Sequence, residues 1–149
     1  MRLAVVAGVT LALTACGKDG VTKADVIAQG NAICQDAQAK VRTLKPPDGT
    51  SLRALAPYLA KASRIVDDQA AKLRRLPRAG DDAAALARFK AASSRDAKRY
   101  RGLSDAANAH DRGAYERAAT ALRTSTSSRL ADRYGLTGCS GASPTDGAK

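Results

Sequence analysis

The sequence predicts an all-α protein, an antiparallel up-down-up-down four-helix bundle. Three observations lead there. Good helix formers dominate, with 33 Ala and 25 Lys+Arg among 149 residues and only 3% aromatics, while strand formers are sparse. Between residues 22 and 135, apolar side chains recur at three- and four-residue intervals, the period of a helix with one buried face. The breaks between these runs carry turn chemistry: Pro46-Pro47-Asp48-Gly49, Pro77-Arg78-Ala79-Gly80 and His110-Asp111-Arg112-Gly113, all poor at continuing a helix.

The first helix opens at Thr22, with Asp25 three positions on as in a capping box. Val26, Ile27, Gly30, Ile33, Cys34, Ala37, Val41 and Leu44 follow on one face, so Cys34 points inward. The second segment runs from about Ser51 to Leu76 with a stripe of Leu52, Leu55, Leu59, Ala62, Val66, Leu73 and Leu76. Pro57 conflicts locally, since it has no N–H for the carbonyl of Arg53; a turn over Ser51 to Leu55 with the main helix after it is expected. Asp81 or Asp82 caps the third helix, which carries Leu86, Phe89, Ser93, Ala97, Tyr100, Leu103, Ala107 and His110 on one face. A single helix onward to Tyr134 is too long for a compact domain, so the chain turns at residues 110–113 with Asp111 as the next cap. The fourth helix then buries Tyr115, Ala119, Leu122, Thr126, Leu130 and Tyr134, and Gly135 ends it with Leu136 folding back. In this topology the first and fourth helices are neighbours.

Ahead of the bundle lies a different kind of segment. Arg2 is followed by an uncharged run from Leu3 to Leu13, too short to cross about 30 Å of hydrocarbon and arranged as an export signal. Leu13-Thr14-Ala15-Cys16 resembles the lipobox of bacterial lipoprotein signal peptides: an aliphatic residue, two small ones, then Cys. The resemblance implies a diacylglyceryl group on the Cys16 thiol and cleavage after Ala15. Two acyl chains, at about 0.8 kcal/mol per buried methylene, hold a protein to a bilayer stably. The expected organisation is a signal peptide over 1–15, a tether over 16–21, the helical domain over 22–139 and a disordered tail over 140–149.

Of the three cysteines, Cys34 and Cys139 remain once Cys16 is acylated. In an oxidising compartment they are expected to form one disulfide; two free thiols or a metal pair are the rival readings. A metal pair has little to recommend it without CxxC spacing and with a single His, His110.

Asn31-Ala32-Ile33-Cys34 early in the chain and Tyr134-Gly135-Leu136-Thr137-Gly138-Cys139 late in it resemble a loose group of small actinobacterial lipoproteins and secreted helical proteins. The resemblance implies a disulfide-closed bundle in the cell envelope, on the outer face of the cytoplasmic membrane. It implies no activity.

Catalytic chemistry is hard to find. No nucleophile elbow, phosphate loop or HExxH motif is present. His110 beside Asp111 reads as a packed or capping residue, Asp67 and Asp68 point apart on their helix with Asp68 paired to Lys72, and Thr124 to Ser128 read as a partly exposed helix face. Neither a catalytic residue, a metal nor a cofactor is expected. Positive charge stands out instead. The chain carries a formal +11, and Lys72, Arg74, Arg75, Arg78, Arg88, Lys90, Arg95, Lys98, Arg99 and Arg101 form a candidate basic surface. Such a surface on a tethered protein attracts anionic lipid or acidic wall polymers; an envelope protein is the other partner class, and nucleic acid is disfavoured. The leading expectation is a non-enzymatic binding or interaction module. The alternative is a small apolar ligand held among Tyr58, Phe89, Tyr100 and Tyr115.

Overall fold

A computed structural model describes residues 20–45, 47–79 and 82–140. Among these residues the regular structure is entirely helical: α1 (Lys23–Arg42), α2 (Leu52–Arg74), α3 (Ala83–Asn108), α4 (Arg112–Arg123) and α5 (Ser127–Tyr134), then a 3-10 turn over Thr137–Cys139. Cys16, the leader, residues 141–149 of the C-terminal tail and the alternative cap Asp81 lie outside the described residues.

The caps explain most of the boundaries. The Asp25 N–H donates to Thr22 Oγ1 at 3.2 Å and the Thr22 N–H donates to Asp25 Oδ2 at 2.9 Å, a reciprocal capping box. Ser51 caps α2 by accepting from the Ala54 N–H at 3.2 Å. Asp111 caps α4 by accepting from the Ala114 N–H at 2.8 Å, as the corner at residues 110–113 requires. Asp82 occupies the cap position of α3 without making a side-chain cap bond. At the far end of α5, Gly135 takes φ 99. The Leu136 N–H then reaches the Ala131 carbonyl at 2.9 Å, which folds the fully buried Leu136 back onto the last turn.

Three local expectations are corrected. Helix α2 begins at Leu52 and contains Pro57, because the ring removes one backbone bond near the N-terminal end while Leu52 and Ala56 are already buried there. His110 is exposed rather than on the packed face of α3. Its φ of 56 ends the helix, and the Asp111 N–H closes back on the Ala106 carbonyl at 2.9 Å. The expected fourth helix is two, since Thr124 and Ser125 lie between α4 and α5 and Thr126 is exposed. Thr124 Oγ1 donates to the carbonyls of Thr120 and Ala121 at 3.2 and 3.3 Å, and Ser125 Oγ accepts from the Ser127 N–H at 3.2 Å; hydroxyl side chains bonded to nearby backbone in this way weaken a helix and offer its N–H groups another partner.

Helix α3 is the central element, packed against α2, α4 and α5, while α1 packs on α2 and on the 3-10 turn. The buried residues fall into two clusters. One joins Val26, Cys34, Leu73, Leu76, Leu86, Phe89, Tyr134 and Leu136. The other joins Ala56, Leu59, Tyr100, Leu103 and Ala107, with Tyr58 and Tyr115 against it; α1 contributes only to the first.

Register follows from cross-helix contacts. Gln69 Nε2 donates to Cys34 Sγ at 3.2 Å, and Lys72 lies 3.5 Å from Asp36. Lys23 pairs with Asp82 and sits 5.3 Å from the Tyr134 ring centroid. One end of the domain therefore gathers the start of α1, the α2–α3 connection and the end of α5.

Candidate functional site

The covalent seam comes first. Cys34 and Cys139, 105 positions apart, are bonded, with their Cα atoms 5.1 Å from one another. Residues of the two sequence motifs, with Gly30 and Gln38 of α1 beside the first, surround the bond. Asn31 Oδ1 accepts from the Gly138 N–H and Gln38 Nε2 donates to the Gly138 carbonyl, both at 2.9 Å. Gly30 leaves the space that Leu136 fills: a Cβ at position 30 would lie 2.4 Å from Leu136 Cδ2. The motifs thus work as two halves of one clasp, which closes the C-terminal turn onto α1.

A second polar feature occupies the break between α4 and α5. A cleft of about 100 Å³ is lined by Ala92, Arg95, Asp96, Arg99 and residues 124–126. Asp96 is 9% exposed. It accepts from Arg99 at 3.0 Å and from Ser125 Oγ at 2.5 Å, so its charge is met from both sides, as a buried carboxylate requires. Sequence reading missed Asp96. The available signal was its place on the apolar stripe of α3, between Phe89 and Tyr100. With a cation and a hydroxyl already on the carboxylate, the arrangement locks α3 to the α4–α5 break.

The basic residues do not form one free surface. Lys72 pairs with Asp68 at 2.7 Å, Arg99 with Asp96, and Arg101 with Asp67. Lys90 donates to the carbonyls of Leu76 and Arg74 at the end of α2; burial, and then the Arg78 charge, push its pKa below the usual lysine value. Arg74, Arg75, Arg78, Arg88, Arg95 and Lys98 are exposed and have no acid partner among the described residues.

Of the four rings considered for ligand binding, Tyr58, Tyr100 and Tyr115 meet in the second cluster, while Phe89 belongs to the first. Among the described residues there is no group of three or more His, Cys, Asp or Glu placed to hold a metal, and no helix long and apolar enough to cross a membrane. Compared with protein-family models, curated proteins and solved structures, the chain matches none.

Proposed function

We propose that the chain is a cell-envelope lipoprotein, exported and anchored through lipid on Cys16 to the outer face of the bacterial cytoplasmic membrane. Its helical domain serves as a non-enzymatic binding or interaction module with a basic surface. The supporting observation is the Cys34–Cys139 bond. Such bonds persist outside the reducing cytoplasm, and this one leaves Cys16 as the third cysteine of the chain, at the end of a lipobox-like Leu13-Thr14-Ala15-Cys16.

On this reading the chain belongs with the small actinobacterial lipoproteins and secreted helical proteins that its two cysteine motifs resemble. Its architecture is an antiparallel four-helix bundle in which α4 and α5 together stand as the fourth member. The packing of both on α3 supports that arrangement. The partners are anionic lipid, a wall polymer or an envelope protein.

Fractionation of Cys16→Ser tests the reading. The variant is expected to leave the membrane fraction, and the wild-type N-terminal peptide is expected to carry the mass of a diacylglyceryl group. Unchanged fractionation of the variant would overturn the proposal.

A further inference from the structure

The position of the unpaired arginines relative to the tether suggests how the domain sits. Gly20 is the first described residue, and it lies at the end of the domain marked by the Lys23–Asp82 pair and the Tyr134 ring. Cys16 is four residues earlier. Four residues span at most about 14 Å even when fully extended. An acylated Cys16 therefore holds this end of the domain close to the bilayer.

Arg78 belongs to the α2–α3 connection at that same end, and Arg74 and Arg75 close α2 just below it. Arg88 is five residues into α3, about 8 Å along its axis, and Arg133 is in the last turn of α5. All five are exposed. Against them stand Asp25, which is engaged in the Thr22 cap, Asp82, which is paired with Lys23, and Asp132; Asp19, with its neighbour Lys18, and Asp81 lie outside the described residues. Cations outnumber acids here. Burial, and after it the Arg78 charge, lowers the pKa of Lys90. Val21, half-exposed, is the large apolar side chain left open among the described residues, and it too sits where the chain enters the domain.

We propose that this end, carrying the start of α1, the α2–α3 connection and the end of α5, is the membrane-facing surface of the domain and seats on anionic lipid headgroups. The proposal rests on the reading that Cys16 is acylated. The tether brings the arginines within reach of the surface potential, which decays over about 10 Å at 0.1 M salt. The arginines then fix which way the domain stands.

The chain has no Trp, so a single introduced one is a clean reporter. Ala84→Trp marks the proposed membrane-facing end and Thr50→Trp the opposite one; both positions are exposed. Each full-length, acylated protein is reconstituted into vesicles containing a dansyl-headgroup lipid. In phosphatidylglycerol-rich vesicles, energy transfer from residue 84 is expected to exceed that from residue 50 severalfold. The difference is expected to shrink in pure phosphatidylcholine, in high salt, and in the combined variant Arg74→Glu, Arg78→Glu, Arg88→Glu. Equal transfer from the two positions in anionic vesicles would overturn the proposal, as would a difference indifferent to lipid charge and salt. The salt titration uses unaltered arginines and so decides the matter even if the triple variant misfolds. The mass of the N-terminal peptide, read on the same samples, separates failure of acylation from failure of this orientation.

Discussion

The Gly138 N–H donates to the Asn31 side chain at 2.9 Å, and the two residues approach so closely that a Cβ on Gly138 would lie 3.1 Å from the Asn31 backbone oxygen and 3.2 Å from its Cα. A side chain at 138 thus meets backbone that no rotamer change can clear. Gly138→Ala is expected to destabilise the domain by about 1–3 kcal/mol. Asn31→Ala, which leaves that N–H without its acceptor, is expected to cost about 1 kcal/mol. Urea unfolding of the single and double variants checks both, and the double variant should fall short of the sum because the two changes share a contact.

Breaking the disulfide removes a crosslink spanning 105 positions. The chain-entropy model gives about 4.7 kcal/mol for a loop of this size, and native bonds in small secreted domains are typically worth about 2–5 kcal/mol. The urea midpoint is expected to drop sharply in dithiothreitol and in Cys34→Ala/Cys139→Ala. Two alkylatable thiols in native, unreduced protein would show that the bond does not form.

Two glycines should respond in opposite directions. A Cβ on Gly102 meets nothing closer than Ala118 Cβ at 3.9 Å, so Gly102→Ala should stabilise α3 by about 0.5–1 kcal/mol. Gly135 has φ 99 and an added Cβ would lie 3.0 Å from Ile27 Cδ1. Gly135→Ala should therefore destabilise by about 1–2 kcal/mol. Thermal melts of the pair decide whether space and backbone conformation, rather than residue type alone, control the outcome.

Tyr134 is 1% exposed and its hydroxyl has no hydrogen-bond partner among the described residues. Burial raises its pKa. An unsatisfied buried polar group costs about 1–3 kcal/mol, so Tyr134→Phe is expected to leave the melting temperature unchanged or raise it. Tyr134→Leu should lower it, since the ring packs in the core and stands beneath Lys23. A clear loss in Tyr134→Phe would reveal a partner for the hydroxyl.

Acid should weaken the domain through α1. Hydrogen bonds from Thr22 hold Asp25 below the usual carboxylate range, and the hydrogen bond from Lys40, with the nearby Lys72 charge, does the same for Asp36. A carboxyl with a lowered folded-state pKa contributes stability above its unfolded value, near 3.9, and loses it as pH falls through the folded value. The melting temperature is expected to decline below about pH 4, with a shallower decline in Asp25→Asn. Lys23 and Lys72 have raised pKa values, mainly from their hydrogen bonds with Asp82 and Asp68. Their contribution is present below the ordinary lysine value and disappears as pH rises through the folded one.

Much of this was legible in one dimension. Apolar spacing put Val26, Gly30, Cys34 and Ala37 on the buried face of α1, and the turn residues His110-Asp111-Arg112-Gly113 marked the corner before α4, with Asp111 as its cap. Pro57 misled because a propensity penalty amounts to one backbone bond, whereas burial of Leu52 and Ala56 acts over the whole first turn. The break at residues 124–126 misled for the opposite reason: Ser125 finds Asp96, a residue of another helix, and no periodicity reports such a meeting. The same applies to the basic residues. Asp67 with Arg101, and Asp36 with Lys72, are partners only because of helix register.

A crosslink from the first helix to the last turn also turns residues 34–139 into a closed ring. The exposed corner at residues 110–113 is inside that ring. A protease that cuts there opens the ring without separating its parts. The nicked chain keeps both fragments joined through sulfur, and whatever restrains its amino terminus still retains the carboxyl-terminal half. Releasing the carboxyl-terminal half of the nicked chain takes either a second cut or a reductant.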